Sequence, residues 1–364
     1  LLAELDAALT ALADRSDAKA VRATTVAILA RRRTEGIEVI QKGIAEHPLD
    51  ARPAVRAYAY LTDCLVGAAF HVATRHLHPV QSSATAEKIA LLAVGGYGRA
   101  EMAPFSDVDL LFLTPWKITA FAESVIESML YMLWDLRLKV GHASRTVADC
   151  LRLAREDYTI RTAMLEARYL EGFEPLANEL RERLRNEIFS KDPADFIEAK
   201  LAERDARHKK NGGQRYVVEP NVKEGKGGLR DLQTLFWIAK YLYRADSTAD
   251  LVAQGVFTAE EYAIFAEAEA FLWMSRVHLH LLTGRATEQL TFDTQVEIAQ
   301  ILGYEPTRGQ RPVERFMQEY FTHAKNVGDL TRIFLAALEA RHVRPRPSLG
   351  GRLRNALGGR DRKS

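Results

Sequence analysis

Two acidic side chains that follow a glycine pair are the residues best placed to do chemistry. Residues 89–113 read IALLAVGGYGRAEMAPFSDVDLLFL, in which one apolar run leads into Gly95 and Gly96, and Asp107 and Asp109 open a second run. Side chains at i and i+2 of a strand share a face, with Cβ atoms ~6–7 Å apart. Two carboxylates so placed can converge on a divalent cation. Glycines at the strand end let backbone N–H groups approach a phosphate, so the pattern indicates phosphoryl or nucleotidyl transfer.

Two residues between the glycines and the aspartates could serve the same chemistry. Arg99 supplies a permanent positive charge and Ser106 a hydroxyl group. An isolated Gly-Gly or Asp-x-Asp is common, whereas both in this order between two apolar runs form a specific pattern. It resembles the signature of the DNA polymerase β-like nucleotidyltransferase superfamily, matched by Gly95, Gly96, Ser106, Asp107 and Asp109. The resemblance implies a Mg²⁺ ion held by Asp107 and Asp109.

A basic, glycine-rich stretch at residues 217–233, VVEPNVKEGKGGLRDLQ, interrupts an otherwise helical part of the chain. It carries Lys223, Lys226 and Arg230 and leads into an apolar helix. Amide N–H groups and cations at a helix N-terminus attract anions. The stretch lacks the spacing and the Ser/Thr of a Walker loop. It is therefore either a second anion-binding motif or an ordinary solvated loop that caps a helix.

Three motifs in order extend the resemblance to one enzyme family. GGYGRAEMAPFSDVDLLFL, VGHASRT and VKEGKGGLRDLQ are similar to the bifunctional uridylyltransferase/uridylyl-removing enzymes that modify the nitrogen-regulatory protein PII. The resemblance implies transfer of UMP from UTP to a tyrosine of PII in the cytoplasm. It predicts UTP and PII as partners, and no binding to nucleic acid or membranes. A related adenylyltransferase and a catalytically silent partner-binding module are the alternatives.

The motifs and the resemblance together assign roles to individual residues. The expected catalytic carboxylates are Asp107, Asp109 and Asp231, and the expected nucleotide-binding residues are Gly95, Gly96, Arg99, Ser106, Lys223 and Arg230. Many superfamily members place a third carboxylate on the strand that follows the helix, yet residues 138–147 contain none. Asp231, Asp135 and Glu166 are the candidates, and Asp231 is favoured because it lies in the second motif.

The remaining polar residues in apolar segments are interpreted as structural. His142 lies on the predicted strand at residues 138–147, and His278 and His280 lie two positions apart on a predicted helix, where they point in different directions. Glu166 and Arg168 are interpreted as packing and surface residues.

The period of the apolar residues predicts a mostly helical α+β protein. With the resemblance, this implies a DNA polymerase β-like nucleotidyltransferase domain and a flanking helical domain. Strands are predicted at 89–94, 110–113 and 138–147, and helices at 21–44, 54–76, 119–136, 148–170, 175–190, 193–209, 229–245, 258–283, 293–303 and 312–341. The predicted units are an N-terminal helical segment (1–79), the nucleotidyltransferase domain (80–147), a helical domain with the glycine-rich basic motif (148–342) and a basic flexible tail (343–364).

Composition limits the function classes further. The chain has 364 residues, of which 47% are hydrophobic and 27% charged, as in an ordinary globular protein. Its apolar runs are too short to span a bilayer, and its two cysteines fit no metal-binding pattern. Residues 341–364 hold eight Lys or Arg and one acid, so the rest of the chain is net acidic despite the overall +2. That balance disfavours general binding to nucleic acid.

The ends of the sequence lead to one more expectation. The chain begins with Leu1 and contains no His-Asp dipeptide. In the family that it resembles, a metal-dependent HD hydrolase domain and two ACT sensor domains follow the transferase. We therefore expect a fragment that carries the transferase and lacks the hydrolase and sensor domains.

Overall fold

The computed structural model describes residues 1–14, 16–79, 87–191, 193–214, 216–244, 250–307 and 309–342, without the side chains of 337 and 339–342. Within these ranges the fold is α+β and mostly helical, as predicted. The predicted basic tail at 343–364 lies outside the described residues. None of the helices in the described ranges is long and apolar enough to cross a membrane.

Three N-terminal helices pack beside the sheet: α1 (Leu2–Thr10), α2 (Ala18–Glu46) and α3 (Arg52–Val72). Helix α2 begins at Asp17, whose carboxylate accepts the N–H groups of Lys19 and Ala20. Pro53 lies in the first turn of α3, where its missing N–H costs no hydrogen bond. A π-helical turn (Ala73–Leu77) follows α3 directly. The helices predicted at 21–44 and 54–76 are confirmed.

A four-stranded mixed sheet forms the centre of the molecule. Its strands are β1 (Ala90–Ala93), β2 (Val108–Thr114), β3 (Val140–Thr146) and β4 (Arg168–Gly172), in the order β3-β2-β1-β4. Strand β1 is antiparallel to β2 and β4, whereas β2 and β3 are parallel. The short helix α4 (Gly95–Gly98) joins β1 to β2, and α5 (Ala120–Asp135) makes the crossover from β2 to β3.

Both faces of the sheet are covered, which explains the continuous apolar runs in β1 and β2. Alternate residues of a strand face opposite sides. Leu110 and Phe112 of β2 belong to the large core that includes α3 and α5. Leu111 and Leu113 belong to a second core with α6 (Val147–Glu156) and α8 (Glu174–Glu187). A strand that is buried on both faces exposes neither face to solvent, so its sequence is an unbroken run of apolar residues.

The single helix predicted at 148–170 is wrong. The segment forms α6, then α7 (Tyr158–Leu165), and then strand β4. Asp157 has an extended backbone between the two helices, and its carboxylate accepts the N–H groups of Thr159 and Ile160 to start α7. Strand β4 pairs with the free edge of β1, so the sheet reaches residue 172. A five-residue strand has too few alternations to compete with the helical signal before it.

The remaining helices form a bundle next to the sheet. They are α9 (Ala194–Lys210), α10 (Leu229–Tyr243), α11 (Asp250–Ala253), α12 (Ala259–Thr283), α13 (Phe292–Ile301) and α14 (Pro312–His342). The long predicted helices are confirmed within a few residues at each end. The glycine-rich stretch lies between α9 and α10 and faces the sheet across a cleft.

Candidate active site

The turn from β1 to β2 places the first motif at one end of the sheet. Gly95 has a φ of +62°, a left-handed conformation that favours glycine, and it opens helix α4 immediately after β1. Asp109 is the second residue of β2 and is half-buried, whereas Asp107 precedes the strand and is exposed. The motif therefore presents the Asp109 carboxylate in the wall of the cleft, whereas the Asp107 carboxylate is exposed to solvent.

Two glycines make room for the carboxylate of Asp109. In the parallel pairing of β2 with β3, Asp109 lies opposite Gly141. A Cβ atom at Gly141 would come within 2.5 Å of Asp109 Oδ1, and one at Gly95 within 3.2 Å of Oδ2. The VGHASRT motif thus contributes space to the site rather than a third carboxylate.

The charge of Asp109 is unfavourable in its surroundings. Burial raises the pKa of its carboxyl, the negative charge of Asp107 raises it further, and the positive charge of Lys223 opposes both. Two carboxylates at a partly desolvated site fit a bound cation, which would relieve the burial cost and the mutual repulsion. The influence of Lys223 also shows that the second motif approaches the first.

The glycine-rich basic stretch has an ordered internal hydrogen-bond pattern. Asn221 Oδ1 accepts the N–H groups of Lys223 and Glu224, at 3.1 and 2.7 Å. Asp231 Oδ2 accepts the N–H of Gly227 at 2.8 Å. Arg230 binds Glu224 and donates to Gln233 Oε1 at 2.9 Å. These bonds fix the backbone of the loop and the side chain of Arg230, unlike in a freely solvated loop.

Glu288 anchors Lys223 from the neighbouring helical region. The Lys223 ammonium lies 3.9 Å from Glu288 Oε1, and the Arg276 guanidinium lies 2.7 Å from the same oxygen. Burial would raise the pKa of Glu288, but the His280 ring 3.6 Å away, the hydrogen bonds from Arg276 and the charge of Lys223 lower it to about 2. His280 therefore has a structural role, as interpreted from the sequence, and His278 Nε2 bonds to the Pro48 carbonyl oxygen at 2.7 Å.

One cleft of about 830 Å³ is lined by both motifs. Gly95 and Asp109 come from the first motif, and Glu224 and Arg230 come from the second. Its other walls come from α7, α9 and α10: Thr159, Thr162, Ala163, Glu166, Lys200, Glu203, Ala206, Arg207, Lys210, Asn211, Asn221 and Trp237. A cleft of this size is in the range of small-molecule sites.

Arg99 and Glu166 form a buried ion pair in the wall of this cleft. Arg99 Nη1 lies 2.7 Å from Glu166 Oε2, and Arg99 Nε lies 3.0 Å from Glu101 Oε2. Glu166 is 3% exposed, and its Oε1 has no hydrogen-bond partner among the described residues. Ser106 instead closes a turn, where its Oγ accepts the N–H of Ala103 at 2.9 Å.

Two of the three candidate third carboxylates lie elsewhere. Asp231 is buried and bound by Arg207, by His208 Nε2 at 2.9 Å and by the Gly227 N–H. Burial would raise its pKa, but these partners hold the pKa below its ordinary value. Asp135 pairs with Arg22 at 2.6 Å on the surface. Glu166 is the candidate that lines the same cleft as Asp109.

Other residues of the sequence analysis lie away from the cleft. His142 is exposed on β3, opposite Leu110, and lines a separate cavity with Tyr131 and Trp134 of α5. Arg168 of β4 pairs with Asp63 of α3 at 2.9 Å. Both are consistent with the structural interpretation.

Sequence analysis missed the contribution of α9 to the cleft. Lys200 is buried near the rings of Phe196 and Trp237, and burial lowers its pKa. A signal was present, because Lys200 falls on the face of α9 that carries buried Phe196 and Ile197. A lysine on the apolar face of a helix indicates an environment that needs its charge.

The comparison with known proteins agrees with the geometry. Residues 195–335, which include the second motif, match the protein family described as GlnD PII-uridylyltransferase. A Ruegeria pomeroyi protein named bifunctional uridylyltransferase/uridylyl-removing enzyme is 62% identical over 339 residues, 93% of this chain. Proteins of the same name from Cereibacter sphaeroides and Azospirillum brasilense are 60% identical over 354 residues (97% of this chain) and 54% identical over 291 residues (80%).

The chain belongs to the uridylyltransferase/uridylyl-removing enzyme family. It spans 37%, 38% and 31% of the lengths of the three family members named above. The family match includes the glycine-rich basic stretch. From the sequence alone, this stretch was either an anion-binding motif or an ordinary solvated loop.

We expect Asp109→Asn to stabilise the protein at neutral pH without divalent cations. A carboxyl with a raised folded pKa contributes stability that is present below its unfolded pKa and lost as pH rises through the folded pKa. A neutral asparagine avoids this loss, so Tm should rise by a few degrees at neutral pH. Below about pH 3.9, the unfolded pKa of Asp, the gain should disappear. Thermal unfolding across pH measures it, and an unchanged or lower Tm at neutral pH would contradict the burial cost.

Proposed function

We propose that this chain transfers UMP from UTP to a tyrosine hydroxyl of a PII protein. The observation that carries the proposal is that Asp109 of the first motif and Arg230 of the second line one cleft. An acidic pair suited to a divalent cation and a basic loop suited to a triphosphate are the two binding functions that nucleotidyl transfer needs. UTP and the tyrosine acceptor are proposed from the family, whose members are named uridylyltransferases.

Asp107 and Asp109 would hold Mg²⁺ in this reaction. The raised pKa of Asp109 and the proximity of Asp107 fit a cation between them. Bound Mg²⁺ supplies charge stabilisation to the phosphates and lowers the pKa of a bound hydroxyl. The glycines at 95 and 141 keep the Asp109 carboxylate unobstructed.

Glu166 is better placed than Asp231 to be the third carboxylate. Its Oε1 is buried without a hydrogen-bond partner among the described residues, in the cleft that Asp109 lines. A buried, unpartnered carboxylate oxygen costs free energy that a cation or its bound water would offset. Asp231 already uses both oxygens to hold Arg207, His208 and Gly227. Its proposed role is to fix the second motif.

The basic residues of the second motif would bind the triphosphate. Arg230 lines the cleft, and Lys223 lies near enough to Asp109 to influence its pKa. In the transfer, the acceptor phenol gives up its proton to water, its oxygen bonds to Pα, the bond from Pα to the bridging oxygen breaks, and pyrophosphate leaves. Cations at the β- and γ-phosphates stabilise the charge that develops on this leaving group.

The proposed reaction is tested directly with PII and each of the four α-labelled ribonucleoside triphosphates in Mg²⁺. We expect label on a PII tyrosine from UTP, and we expect Asp109→Asn to reduce the rate roughly 1000-fold or more by removing several kcal/mol of charge stabilisation. Label from ATP instead of UTP would identify an adenylyltransferase. No label from any triphosphate would identify a silent binding module and overturn the proposal.

Glu166→Gln and Asp231→Asn should have different effects. We expect Glu166→Gln to weaken apparent Mg²⁺ affinity and lower kcat by roughly tenfold or more, and to lower Tm as well because it breaks the buried ion pair with Arg99. Asp231→Asn leaves Arg207 without its buried partner and should cost about 3–5 kcal/mol of stability. Mg²⁺ titrations of the transfer rate separate the two variants, and thermal unfolding measures the stability that each one loses. Loss of Mg²⁺ affinity in the Asp231 variant alone would instead identify Asp231 as the third carboxylate.

Arg230→Gln should raise KM for UTP, with Lys226→Gln as its matched control. A hydrogen bond to a charged group contributes about 1.5–3 kcal/mol, so KM should rise roughly tenfold or more. Lys226 lies on the same loop but is exposed and lines other cavities. Steady-state kinetics with varied UTP should therefore leave the Lys226 variant unchanged. Equal effects in both variants would mean that only the net charge of the loop matters.

A further inference from the structure

A cluster of Asp6, His71 and His76 lies outside the proposed catalytic cleft. Asp6 is on α1, His71 is on the last turn of α3, and His76 is in the π-helical turn that follows. Asp6 Oδ1 lies 2.8 Å from Nε2 of His71 and 2.8 Å from Nε2 of His76. None of the three residues lines the cleft that contains Asp109.

The π-helical turn brings the two histidines together. Five residues of an α-helix rotate a side chain by about 140°, so His71 and His76 would point apart in a continuous α-helix. The His78 N–H instead donates to the Ala73 carbonyl five residues back, at 2.9 Å. This wider turn reduces the rotation between the two side chains, and the centroids of the two imidazole rings lie 5.8 Å apart. Single π-helical turns inside helices occur frequently at functional sites.

We propose that Asp6, His71 and His76 bind a first-row transition-metal ion of the Zn²⁺ type. Their ligand atoms all lie within 4.8 Å of one another. A tetrahedral zinc ion with bonds of ~2.0–2.1 Å separates its ligand atoms by roughly 3.3 Å, so small side-chain rotations suffice. Two imidazole nitrogens with one carboxylate select zinc-like ions over Mg²⁺, which prefers oxygen ligands.

The surroundings leave a fourth coordination position for water. The Asp6 side chain is 47% exposed, whereas those of His71 and His76 are 26% and 23% exposed. A second carboxylate, Glu171 of β4, packs near Gly67, one helical turn before His71. An ion at this cluster would link α1 to the end of α3, because Asp6 and His71 are 65 residues apart in the sequence. Its role would be to hold α1 in place rather than to act on UTP.

The test is zinc titration of the whole chain by calorimetry, with millimolar Mg²⁺ present to compete at the aspartate pair. We expect one saturable Zn²⁺ site and a rise in Tm on Zn²⁺ addition. His71→Gln and His76→Gln should each weaken that site by roughly tenfold or more. His78→Gln is the matched control, because His78 bonds instead to Ser128 Oγ at 2.8 Å. It should bind Zn²⁺ as the unchanged protein does.

Two further measurements keep the test decisive. Co²⁺ in place of Zn²⁺ should give the visible absorption of a tetrahedral site, and His76→Gln should abolish it. If a histidine variant fails to fold, Asp6→Asn on the half-exposed α1 surface replaces it, with the same expected loss. Zn²⁺ affinity that is equal in the unchanged protein and in the folded cluster variants would overturn the proposal. None of these measurements uses the transfer assay. The zinc-site proposal can therefore be confirmed or overturned independently of the proposed function.

Discussion

The site depends on holding two carboxylates close together at the half-buried end of a strand. Burial and the charge of Asp107 both oppose ionisation of Asp109, and Lys223 is the cation that counteracts them. Glycines at positions 95 and 141 provide space for the carboxylate but no hydrogen-bonding side chain. The local structure therefore compensates the negative charge of Asp109 only in part. A divalent cation would stabilise this arrangement more than a further lysine would, because it would interact with both carboxylates at once.

The helical region determines where the positive charges stand. Glu288 holds Lys223 and is itself held by Arg276 of α12. Arg207 of α9 reaches both Asp231 and Glu224, so α9, the loop and the start of α10 share one network of charged groups. A change in any of these helices moves the cations relative to Asp109. The sheet supplies Asp109 to the cleft, and the helical region supplies the cations Lys200, Arg207 and Arg230.

The sequence predicted the parts of the fold whose signals are local. Strands β1 and β2 have continuous apolar runs, and the long helices have a clear period. Strand β4 was not predicted, because it forms by pairing with β1, which is distant in the sequence, and a five-residue segment carries no local signal of that pairing. The side chains of the cleft were harder to predict for the same reason. Glu166 and Asp231 are both buried acids, and only the packing of α7 and α9 decides that Glu166 lines the cleft with Asp109 while Asp231 holds the loop.

The cleft contains acidic and basic side chains in similar number, and most of them are already paired. Arg230 binds Glu224, Lys200 binds Glu203, and Arg99 in the wall binds Glu166. A bare triphosphate would therefore have to displace carboxylates from these cations and would also meet the charge of Asp109. A triphosphate that arrives with a divalent cation avoids the second cost, because the cation interacts with Asp109 while the phosphates exchange with Glu224 at Arg230. In the proposed function, the charge distribution of the cleft would thus favour a metal–nucleotide complex over the free nucleotide, and this selectivity would follow from paired charges rather than from a positively charged pocket.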